Sequence, residues 1–282
     1  LSLSLSCLLV LGGVRQTTQP LAMMLKDLFT ELTVQWILGL TVIYSTSNYV
    51  FKKSGPFKTK PGVAAHQLCA LFCILYCAYY GATLWFFGGM IEVEDRLYQN
   101  IGPAEKLIKI NLAFQTFDFV TTFLDKQMHQ RSIMLAHHFV AGSCAFLSVY
   151  HATYLHYYMV FYTGCSEIST VPLVFVDLFK YFPKVGEKVP TFDLICKALF
   201  AILFIVFRVV LWPIVTFSYY KESFYSVMDG TAHSVPVVMY FITFGFALTL
   251  LQQYWGIKVL KAIGAILFPS KEDGAAGNKK GN

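Results

Sequence analysis

From Val235 to Ile257 this 282-residue chain carries no charged side chain. At ~1.5 Å per residue, a helix of that length crosses a hydrocarbon layer ~30 Å thick. Inside such a layer every backbone polar group must be satisfied without water, which leaves helices and closed barrels. The run recurs. Leu32 to Phe51 and Pro61 to Ile91 contain no Asp, Glu, Lys or Arg. Ser132 to Tyr150 carries two histidines, and Ala198 to Tyr220 carries only Arg208. Segments this long exceed what a barrel strand needs and fit membrane helices.

Two further segments are less clean. "LIKINLAFQTFDFVTTFLDK" contains Asp118, and "TYLHYYMVFYTGCSEISTVPLVFVDLFKYF" contains Glu167. Counting both gives an all-α, polytopic membrane helix bundle of about seven transmembrane helices; a count of six drops the Asp118 segment. Charged residues make up 13% of the chain, against about 25% in soluble domains. Alternate loops differ in charge. "FKKSGPFKTK", "DKQMHQR", "KYFPKVGEKVPTFDLICK" and the tail from Lys258 hold 15 of the 22 Lys and Arg, and the opposite set holds 6. The positive-inside rule then predicts a luminal or external N-terminus and a cytosolic C-terminus. The net charge of +6 follows from those loops and implies no nucleic-acid partner.

The expected transmembrane domain covers 27–268. Residues 1–26 read as a targeting remnant or as an extension upstream of a start at Met23 or Met24. Residues 269–282 read as a polar, disordered tail. Cys69, Cys73 and Cys77 recur every fourth residue, which predicts a small-residue packing stripe and not a disulfide framework.

Ionisable groups in a bilayer are costly and turn toward the bundle interior. Asn111, Gln115, Asp118, Thr122 and Asp125 are spaced 4, 3, 4, 3 and so share one helical seam. His137, Ala141, Cys144, Ser148 and His151 repeat that spacing, while His138 begins a neighbouring line with Gly142 and Ala145. His156, Thr163, Glu167, Thr170 and Asp177 form a third seam. Three polar lines and Arg208 predict one cavity in the cytosolic half of the membrane. Pro213 should kink the Arg208 helix and free a carbonyl. A plainer reading makes these groups interhelical locks, pairing Asp118 with Arg208 or Glu167 with a histidine.

The histidines form none of the di-iron clusters of membrane desaturases, and neither a G-x-S-x-G elbow nor a P-loop is present. Adjacent helical residues diverge by ~100°, which makes a metal shared by His137 and His138 awkward; no metal or other cofactor is expected. General acid–base work is easier to build, with His137 or His138 as base and Asp118 or Glu167 orienting it, in an acyl transfer. Asn111, Gln115, Thr163, Thr170 and Arg208 would line the lipid site, and without a reaction the same pocket would hold a headgroup.

Several stretches resemble the TLC-domain family in the family's order. These are His66 in "VAAHQLCALFCILY", "FQTFDFV", "MLAHHFVAG", "LFIVFRVVLWP" with Phe204, Arg208 and Pro213, and "LQQYWGIKVLK". The similarity runs from about Gly62 to Lys261. Ceramide synthases of this family carry two nearby aspartates on the helix after the histidine pair. Here that position reads "TGCSEISTVPL", and Glu167, Ser169 and Thr170 resemble the TLCD branch. The resemblance implies a multi-pass protein of the endoplasmic reticulum or another organelle membrane. It also implies a membrane lipid as partner (an acyl chain, sphingolipid or phospholipid) and an effect on membrane lipid composition. The rival expectation is a non-catalytic accessory subunit packed against other membrane protein subunits.

Overall fold

The computed structural model describes residues 31–267 apart from 126, 129 and 152. The expected N-terminal segment, 1–26, and tail, 269–282, lie outside the described residues, as does Cys7. Nine helices carry the architecture: α1 (Leu32–Lys53), α2 (Pro61–Phe87), α3 (Gly102–Leu124), α4 (Arg131–Phe146), α5 (His156–Thr163), α6 (Thr170–Tyr181), α7 (Pro190–Phe204), α8 (Trp212–Met228) and α9 (Val235–Leu267). No strand occurs among the described residues. A π turn, Leu147–His151, prolongs α4; a 3-10 segment, Cys165–Ser169, joins α5 to α6; a second π segment, Ile205–Leu211, joins α7 to α8. The result is seven rods.

Among the described residues, five rods are both long and apolar enough to cross a membrane: Pro61–Phe87, Arg131–His151, His156–Tyr181, Pro190–Met228 and Val235–Ala265. The other two, α1 and α3, have spanning length with a more polar composition. The Asp118 rod is no peripheral piece. It packs against α1, α2, α4 and α5, and its own seam is among the most buried in the chain.

Local chemistry sets the rod ends. Glu31 caps α1, its Oε2 accepting from the amides of Thr33 at 2.7 Å and Val34 at 3.2 Å, which satisfies two of the free donors at a helix start. Prolines open α2, α3, α7 and α8, where the missing N–H costs nothing. Pro213, however, falls inside the long Pro190–Met228 rod. The rod does not stop there but widens into the π segment just before it. The carbonyls left over at Arg208 and Val209 accept from Gln253 Nε2 at 3.3 and 3.5 Å.

Small residues let rods meet at backbone distance. A Cβ on Gly81 would lie 2.3 Å from Gly164 Cα, so α2 touches the α5–α6 break there. The cysteine stripe is buried as small packing, with Cys69 Sγ facing the Leu40 carbonyl at 3.5 Å and Cys73 Sγ that of Ile110 at 3.9 Å. Outward positions are oily, with Val42, Phe87, Leu124 and Phe217 among the exposed side chains. A bilayer solvates such a surface, whereas water would drive it to aggregate.

Candidate functional site

Asp118, 6% exposed, lies near the C-terminal end of α3. Two imidazoles flank it. One is His66 on α2, whose Nε2 bonds Asp118 Oδ1. The other is His138 on α4, whose Nε2 lies 3.0 Å from Asp118 Oδ2. His138 Nδ1 donates to Gln115 Oε1 at 2.7 Å, so this ring is held from both sides. Gly142, one turn on, leaves room for α3, since a Cβ there would lie 3.5 Å from Gln115 Cβ. The carboxylate thus ties α2, α3 and α4 together and can balance positive charge arriving on either ring.

His137 is placed differently. It bonds to no protein group among the described residues, and its buried Nδ1 is unpartnered. Its ring lies edge-on to Trp255 at 5.6 Å and 5.2 Å from the His138 ring.

The second buried cluster centres on Arg208, in the π segment. Its Nε donates to Ser169 Oγ at 2.9 Å and the Ser166 carbonyl at 3.3 Å. Nη1 reaches Gln252 Oε1 at 3.2 Å, and Nη2 reaches Thr170 Oγ1 at 2.8 Å, with Glu167 Oε2 at 3.4 Å. The interhelical pairs are therefore Asp118 with two histidines and Glu167 with Arg208, the reverse of the pairing expected for simple locks. The two carboxylates sit on different rods, Asp118 on α3 and Glu167 at the α5–α6 break.

Two cavities meet between the clusters. The larger, of about 340 Å³, opens toward Met128, Gln130, Asp177, Lys180 and Lys258, and is walled by His66, Asp118, His138, Thr170, Phe200, Phe204 and Trp255. The smaller, of about 70 Å³, lies among Asn111, Cys144, Thr163, Trp212, Thr216, Tyr219, Phe241 and Gly245. Gln115, His137, Glu167 and Arg208 line both and form a polar waist.

All nine predicted site residues, Asn111, Gln115, Asp118, His137, His138, Thr163, Glu167, Thr170 and Arg208, border one or both cavities. Four seam members, Asp125, Ser148, His151 and His156, do not. His151 is exposed, because the π turn after Phe146 advances less per residue than an α-helix and rotates it off the line. His156 is a staple, its Nδ1 accepting from the Ile101 amide at 3.3 Å and its Nε2 lying 3.2 Å from the Ser148 carbonyl. Sequence reasoning named no site residue on α9, where Gln252 and Trp255 contribute. The adjacent glutamines in an uncharged span were the available signal. Among the described residues no group of three or more His, Cys, Asp and Glu side chains is arranged to hold a metal ion.

An all-α bundle of membrane-length helices around a polar-waisted cavity defines an integral membrane protein. The TLC domain family model matches residues 84–261, and the chain belongs to that family. No curated protein and no solved structure matches it.

Proposed function

We propose that this chain binds a membrane lipid within the paired cavities and thereby influences membrane lipid composition, as a member of the TLCD branch. The observation that carries the reading is the polar waist. Buried carboxylates, imidazoles and a guanidinium border a cavity of the size small-molecule sites use, walled elsewhere by aromatic and aliphatic side chains. An apolar chain suits the walls, and a headgroup or carbonyl suits the waist. Lys180 and Lys258 at the mouth favour an anionic group on the side that the charge bias makes cytosolic. Placement in the endoplasmic reticulum or another organelle membrane belongs to the same reading.

If a reaction accompanies binding, acyl transfer fits best. His137 has ring nitrogens free of protein partners and is the proton acceptor. Asp118 positions His138 and His66 and balances their charge. Glu167 balances Arg208. The Arg208 donors are engaged by the protein, so its part is to shape the waist.

Lipid extraction and mass spectrometry of protein purified in mild detergent test the binding. A bound lipid lost on Gln115→Leu supports it, and its absence favours the accessory-subunit reading. Purified protein with acyl-CoA and a long-chain base tests the reaction. Turnover abolished by His137→Ala is expected; turnover untouched by both His137→Ala and His138→Ala would sink the general-base role.

A further inference from the structure

The inner end of the smaller cavity is not what a plain alkyl tail requires. Asn111 is 3% exposed and its side chain makes no hydrogen bond among the described residues. Tyr219 is 2% exposed and its hydroxyl has no partner among the described residues. That hydroxyl looks toward Gly245, where a Cβ would lie 3.7 Å from it, so the missing side chain helps keep the space open. Both residues line the same cavity of about 70 Å³. A buried polar group without a partner is destabilising, and methylene groups cannot relieve that.

We propose that this inner compartment receives an oxygen-bearing group, a hydroxyl or carbonyl, carried well down a lipid chain, with Asn111 and Tyr219 as its hydrogen-bond partners. The proposal rests on the lipid-binding reading above and specifies its ligand. Depth decides where on the chain the oxygen sits. Asn111 is one helical turn beyond Gln115, and Tyr219 about three turns beyond Arg208, so the compartment lies roughly 6–16 Å past the waist. An oxygen next to the headgroup does not reach it. Asn111 offers a donor and an acceptor, and a tyrosine hydroxyl offers both, so a chain hydroxyl is matched on each side.

The test uses the full chain in detergent or nanodiscs, with cis-parinaric acid as the fluorescent reporter. Octadecanoate, 12-hydroxyoctadecanoate and 2-hydroxyoctadecanoate compete for it. The 12-hydroxy chain is expected to bind about tenfold more tightly than the unsubstituted one, the yield of two modest hydrogen bonds. The 2-hydroxy chain should gain nothing. Asn111→Leu and Tyr219→Phe should each reduce the preference while plain octadecanoate still binds. Each change removes a group with no protein partner, so both variants should fold at least as well as the parent; should one fail, the other carries the comparison. Equal binding of hydroxylated and plain chains, or a preference intact in both variants, overturns the proposal and leaves the compartment to ordered water. Absence of any chain binding sinks the lipid-binding reading together with it.

Discussion

The Asp118 cluster and the Arg208 cluster are both buried, both charged and both at the waist, yet they are satisfied to different degrees. Arg208 spends its donors on Ser166, Ser169, Thr170, Gln252 and Glu167, which fastens the α5–α6 break, the π segment and α9. Around Asp118 the satisfaction stops short. His66 Nδ1 is buried and unpartnered, and so is Nδ1 of His137 beside the His138 ring. A cation engaged through all three of its nitrogens stabilises architecture. Rings with unused nitrogens beside a shared carboxylate leave hydrogen-bonding positions open to a ligand. Burial alone does not separate structure from chemistry, whereas the account of donors and acceptors does.

That contrast breaks most visibly at the guanidinium. Arg208→Met leaves the largely buried Glu167 without its partner and should cost about 3–5 kcal/mol, read as loss of the folded peak on heating in detergent. A variant as stable as the parent would dissolve the distinction. Asp118→Asn should cost less, about 1–3 kcal/mol, because an amide still bonds one imidazole; a penalty exceeding that of Arg208→Met reverses the ranking. Gln253→Leu abandons the carbonyls of Arg208 and Val209 and should cost about 1 kcal/mol, measured in the same melt. Smallest is His137→Ala, expected within about 1 kcal/mol of the parent because only ring packing on Trp255 and His138 is lost. If its melting point falls further than that of Asp118→Asn, His137 belongs with the structural groups.

Uncharged length made the helical rods legible in the sequence, and α3 was readable despite Asp118 because its polar residues keep a 4, 3 spacing. The same spacing brought Asn111, Gln115 and Asp118 to the cavity. It misled at His151, since periodicity assumes an unbroken α-helix and the π turn changes the advance per residue. Pro213 announced a freed carbonyl, but a proline does not say what will satisfy it, and Gln253 lies on another rod. Pairing was the least legible feature. Which carboxylate meets which cation depends on how rods are set beside each other, and spacing within one rod carries no information about that.

Arg208 lies about halfway along the rod between Lys197 and Lys221, charged residues that belong at the two membrane surfaces. Arg208 therefore marks the middle of that rod. A chain reaching from the basic mouth past the waist to Tyr219 would pass that midpoint. Under the proposed lipid binding, the part of the chain inside the cavities would touch protein in place of neighbouring lipids, so features that the bilayer conceals would decide affinity.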